Sequence, residues 1–192
     1  MKKFLIITIL LLFNVQESFA QKQFEIDGAI VPRTIDFQDK TLLLNGFGTR
    51  SKMWIDVYVQ ALFVLNLSPD AKYILNSDTE MAIRIQVTSK LVTSQKLVKA
   101  LYNGIKKSSG AEVCLRFAPE LKELEKYLVA EKINKDDAIN MIYSTVDKNV
   151  WIYKNDKFQG KVKGFEFKKA LFGIWLSENP VDKDLKKQLL GL

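Results

Sequence analysis

Apolar and polar residues alternate cleanly through MAIRIQVT, Met81 to Thr88, which puts Ile83, Ile85 and Val87 on one face and Arg84 and Gln86 on the other. That is the period of a strand. Met53 to Leu65 carries the same signal, rich in Val, Ile, Tyr, Trp and Phe. There Met53, Ile55, Val57, Val59, Ala61 and Phe63 share a face, and Trp54, Asp56, Tyr58, Gln60 and Leu62 form a mixed opposite one. Further upstream, Phe24 to Gln38 reads as a hairpin turning near Val31-Pro32-Arg33, and Thr41 to Asn45 is a short apolar run. The spacing then changes to three and four. Leu97, Val98, Leu101, Tyr102 and Ile105 predict a helix with Thr93 or Ser94 as its cap, Gly110 after its end, and Lys96, Lys99, Lys106 and Lys107 toward solvent. Phe117 to Ala130 predicts a second helix, with Pro119 in its first turn. Strands return at Ala138–Thr145, Asn149–Lys154 and Lys157–Lys163, with turns at Asp147-Lys148-Asn149 and Asn155-Asp156. Two helices close the chain, Phe165–Leu176 and Val181–Leu190, the second with Leu185, Leu189 and Leu190 inward. Strands, helices, strands and helices in that order define an α+β fold, with one antiparallel sheet and helices packed on one face.

The first 20 residues do not fit this scheme. Lys2 and Lys3 precede a short apolar stretch, Phe4 to Val15, and Ser18-Phe19-Ala20 has the small-x-small form of a cleavage site. The stretch is short against the roughly 20 residues a membrane span needs, so a secretory signal cleaved near Ala20 is expected. The mature chain, residues 21–192, is then a single exported, periplasmic domain without a membrane span. Losing Lys2, Lys3 and Glu17 takes the formal charge from +7 to +6. That charge is unclustered, and no nucleic-acid partner is expected.

Histidine is absent and Cys114 is the lone cysteine. These two facts exclude a Ser-His-Asp triad, histidine-based metal sites and an internal disulfide, and no cofactor is expected. Cys114, among apolar neighbours in AEVCLRF, reads as a structural thiol.

Three stretches then stand out in order: LNGFGTRSKMWIDVYVQALFVL with its Gly46-x-Gly48-x-Arg50, the helix TSQKLVKALYNGIKK, and GFEFKKALFGIWLSENPVDKDLKKQLLG. Together with an export signal they resemble the bacterial chalcone isomerase-like proteins, from about Leu42 to Gly191. The resemblance implies an open-faced β-sandwich, a large antiparallel sheet with helices over one face and a cleft between. It implies either of two activities, ring closure of an enone by a true isomerase or fatty-acid binding by non-catalytic relatives.

By the same resemblance Arg50 stands at the family's site arginine, where a guanidinium can hold a carboxylate or phenolate through parallel hydrogen bonds. Tyr58 stands where the enzymes carry a water-ordering threonine, and where the fatty-acid binders have a tyrosine that joins the arginine on the ligand. Lys96 stands for a helix-borne lysine of the enzymes. Thr93 and Ala100 occupy the positions of their tyrosine and asparagine, a departure that weighs against chalcone cyclisation. Read as ordinary residues, Arg50 pairs with a surface carboxylate or stacks on Trp54, Tyr58 buries its ring, and Lys96 is solvated. Phe165, Phe167, Phe172 and Trp175 at helical spacing read as core.

Three functions therefore compete. The first is a non-catalytic binder of a small apolar anion, a fatty or aromatic carboxylate or a phenolic ligand, held by Arg50 and Tyr58 with Lys96 near. The second is an isomerase or intramolecular lyase acting on an enone, with Arg50 as its one candidate catalytic group. The third is an envelope interaction protein with no ligand.

Overall fold

Two antiparallel sheets of unequal size carry the chain, and the computed structural model describes residues 23–52 and 54–192 of it. The predicted signal, residues 1–20, lies outside the described residues. A small hairpin comes first, β1 (Gln23–Ile26) and β2 (Ala29–Pro32). The large sheet then runs in chain order through β3 (Thr34–Phe37), β4 (Lys40–Lys52), β5 (Ile55–Val64), β6 (Met81–Val87), β7 (Ala138–Tyr143), β8 (Asn149–Lys154) and β9 (Lys157–Lys163). Every adjacent pair is antiparallel. Among the described residues the helices are α1 (Ala71–Asn76), α2 (Ser94–Ser109), α3 (Ala111–Arg116), α4 (Ala118–Val129), α5 (Phe165–Leu176) and α6 (Lys183–Leu189).

Strand alternation divides the interior into two cores. Leu62, Ile83, Ile85, Val87, Met141 and Ile152 face the helices, where they meet Leu97, Leu101, Phe167, Leu171, Phe172 and Trp175. From Ala170 to Leu176, α5 is apolar and buried without interruption, as a central helix must be. The opposite face is not bare. Ala29 and Val31 of the hairpin cover Val59, Ala61, Phe63, Ala82 and Ile142, and the rings of Phe24 and Phe47 stack 5.1 Å apart beside them. The α+β class and the helix-covered antiparallel sheet are as expected, and the hairpin on the second face is an addition.

Local departures have local causes. The first hairpin turns at Asp27-Gly28, both with positive φ, rather than at Val31-Pro32-Arg33. Pro32 ends a strand of a two-stranded ribbon, where the missing N–H breaks no ladder. β4 does not stop at Asn45. It runs on through both glycines, with a bulge between Leu44 and Gly46. Trp54 lies in the β4–β5 turn at φ 67° and is fully exposed, so it neither lines the helix-facing surface nor stacks under Arg50. α1 and α3 are too short to show a period. Cys114 is partly buried, its Sγ 3.8 Å from the Tyr102 carbonyl.

Candidate functional site

The stretch Asn45-Gly46-Phe47-Gly48-Thr49-Arg50 builds one edge of the site and explains its own composition. Asn45 is the bulged residue. Its Nδ2 donates to the Leu189 carbonyl at 2.9 Å and its Oδ1 accepts from the Ser68 N–H at 2.8 Å. Gly46 and Gly48 point their missing side chains at α6. A Cβ at Gly46 would meet the Leu189 carbonyl oxygen at 2.7 Å and the Gln188 carbonyl closer still, and one at Gly48 would strike the Gln188 side chain. The glycines are there so that a helix can lie directly on the strand. Arg50, on the same face, receives the start of that helix. Its Nη1 donates to Asp182 Oδ2 at 3.0 Å, across 132 residues of sequence, and to the Ser51 carbonyl at 2.6 Å. The other oxygen of Asp182 accepts from the N–H groups of Asp184 and Leu185 and caps α6.

Tyr58 stands directly opposite Arg50 in the β4–β5 ladder, beside a second register shift. Irregularities of this kind re-aim side chains. Its hydroxyl accepts from Trp175 Nε1 at 3.3 Å. Burial pushes the Tyr58 phenol up, an effect that the hydrogen bond from Trp175 and the Arg50 charge partly oppose and that Asp182 reinforces. The hydroxyl is therefore protonated at neutral pH. Trp175 and Arg50 face the hydroxyl as donors, the Asp182 carboxylate is the charged group near it that can only accept, and its own proton is left for an acceptor. Arg50 and Tyr58 thus form a pair of donors at one spot, and a carboxylate already sits on one of them.

Lys96 is not part of this arrangement. It is exposed on the first turn of α2, with Nζ 2.9 Å from the Leu91 carbonyl, and the Thr93 hydroxyl accepts the Lys96 N–H at 3.3 Å as the helix cap. Both groups serve the local loop. Ala100 is exposed. Of these three positions, Thr93 and Lys96 make local contacts at the start of α2 and Ala100 offers no polar group. Sequence reasoning named Arg50 and Tyr58 but not Asp182 or Trp175. The Asp182-Lys183-Asp184-Leu185 run shows a helix cap, yet nothing local ties it to an arginine in β4. A cavity of about 420 Å³ opens elsewhere, between α1, α3 and α5, with Leu75, Val113, Phe117 and Gly173 in its wall and Lys72 and Arg116 beside them. Among the described residues there is no cluster of side chains able to hold a metal, and no helix is long and apolar enough to cross a membrane.

The sequence profile described as chalcone isomerase-like matches residues 23–191, and the chain belongs to that family. Among solved structures it is similar to a fatty-acid-binding protein of Arabidopsis thaliana, with a TM-score of 0.69 over 88% of this chain and 95% of that one at 18% sequence identity. That likeness concerns the fold. No curated protein matches the sequence.

Proposed function

We propose that the protein is a non-catalytic binder of a small apolar anion, with Arg50 and Tyr58 holding the anionic head. The observation that carries this reading is the Asp182 carboxylate on Arg50, opposite a tyrosine whose hydroxyl accepts from Trp175 and keeps its own proton to donate. It marks the spot as one that accepts a carboxylate, and an incoming one can exchange with it. The pair is about a quarter exposed on each side, so the exchange meets a partly solvated contact rather than a sealed one. The relationship to a plant fatty-acid-binding protein makes a straight-chain carboxylate the first ligand to try. The isomerase reading draws less support, because Thr93 and Lys96 are engaged in the start of α2.

Calorimetric titration of residues 21–192 with dodecanoate tests it. Arg50→Ala is expected to weaken binding by about tenfold or more, the scale of a charge-assisted bond to a carboxylate. Asp182→Asn keeps the cap of α6 but removes the internal competitor's charge, and is expected to tighten binding about threefold. Dodecanoate that does not bind, or binds Arg50→Ala as well as the parent, refutes the reading. The pattern at residues 1–20 supports export of the same protein, and the expected mature N-terminus is Gln21, to be read by intact-mass measurement of the secreted chain.

A further inference from the structure

The side chain of Gln60 lies wholly inside the protein, at 0% exposure, and among the described residues neither its Oε1 nor its Nε2 has a partner. Among the described residues it is the one amide with both polar atoms buried and unpaired. The other interior amides show the ordinary behaviour. Gln86 accepts the Ile30 N–H at 3.2 Å, Asn140 faces Arg84 Nη1 at 3.3 Å, and Asn45 is bonded through both ends. A buried amide left without partners is destabilising, and such exceptions call for a physical reason. Placement supplies one. Gln60 is two residues from Tyr58 on β5, on the same helix-facing side, with Gly48 and Ile85 as its register partners. Gly48 contributes no side chain, the Gln188 side chain lies over it, and Arg50 is two residues along that same strand.

Resting on the reading above, we infer that Gln60 is a specificity-determining residue of the Arg50–Tyr58 site, and that the preferred ligand is an apolar carboxylate carrying a neutral hydroxyl. Successive same-face positions on a strand are on the order of 7 Å apart, so the hydroxyl belongs about that far from the carboxyl group. An alcohol both donates and accepts, matching the Oε1 and Nε2 of one carboxamide. A second carboxylate does not suit the position. No cation faces Gln60 from its register partners, and the nearest charged groups of the site, Arg50 and Asp182, already engage each other.

The test compares dodecanoate with its mono-hydroxylated derivatives, differing in hydroxyl position, on residues 21–192. The parent protein is expected to bind one mid-chain hydroxy acid about tenfold more tightly than dodecanoate, since its hydroxyl gives partners to an amide that has none without ligand. In Gln60→Met the ratio is expected to fall to within about twofold while dodecanoate itself binds as before. The ligand-free Gln60→Met protein is expected to melt at or above the parent temperature, because an unpaired amide has been replaced by an apolar chain of similar length. Equal affinity of the parent for plain and hydroxylated acids overturns the inference, as does a ratio that survives in Gln60→Met. A lower melting temperature in the ligand-free variant overturns it too, by showing that the amide is paired without ligand. Each of these outcomes leaves dodecanoate binding and its dependence on Arg50 intact, so the broader reading is judged separately.

Discussion

Lys168→Met is expected to lower the unfolding free energy by about 2–3 kcal/mol, measured by urea denaturation at neutral pH. Lys168 is fully buried in α5, and its Nζ donates to the carbonyls of Leu75 at 2.9 Å and Ser77 at 2.8 Å, with Ile74 at 3.5 Å. These carbonyls end α1, a helix with no basic residue of its own in the last turn. The ammonium satisfies them and meets the negative end of that helix. The rings of Phe165 and Tyr143 flank it at 4.9 and 5.1 Å. Methionine fills nearly the same volume and donates nothing. Leaving the carbonyls unpaired outweighs the relief of no longer burying a charge, because a lost partner costs more than the pair was worth. Burial pulls the Lys168 amine down to about 8, against the opposing pull of Asp78. The folded protein therefore releases this proton near pH 8 and the unfolded chain holds it to about 10.5. Between those values the unfolded state binds more protons, so this group's contribution to stability rises with pH. Lys168→Met should remove that rise, which gives the assignment a second and independent readout.

Gly46→Ala is expected to cost a similar amount, about 3 kcal/mol, and to act on the site as well as on the fold. The new methyl would run into the backbone of Gln188 and Leu189, which cannot rotate away as a side chain can. α6 must lift, and with it Leu185 and Leu189, both buried, and the Asp182 carboxylate on Arg50. Gly48→Ala meets mainly the flexible Gln188 side chain and should cost visibly less. Thermal melts of the two variants check the order. Equal losses would mean that α6 does not seat on the strand as described.

Much of this architecture could be read from residue order, and the reasons differ from element to element. α2 is long enough for a period to declare itself, α5 shows as an unbroken apolar run, and Thr93 and Gly110 mark the ends of α2 by cap chemistry. β6 shows both of its faces in seven residues. Short elements gave no such signal: α1 and α3 have six residues each, fewer than two turns. The glycines of β4 look like a turn in isolation, because the helix that requires them is about 140 positions away. The site divides in the same way. Arg50 and Tyr58 were found through a family pattern, while Asp182 and Trp175 come from distant segments that only the folded chain brings near. Gln60 was visible on the mixed face of its strand. Its isolation was not, since a missing partner is a property of space rather than of sequence.

The two oxygens of Asp182 have separate duties, one toward the backbone of its own helix and one toward the guanidinium. A visiting carboxylate competes for the second alone. The first turn of α6 therefore keeps its cap whichever carboxylate the guanidinium holds, because the oxygen that receives the Asp184 and Leu185 N–H groups takes no part in the exchange.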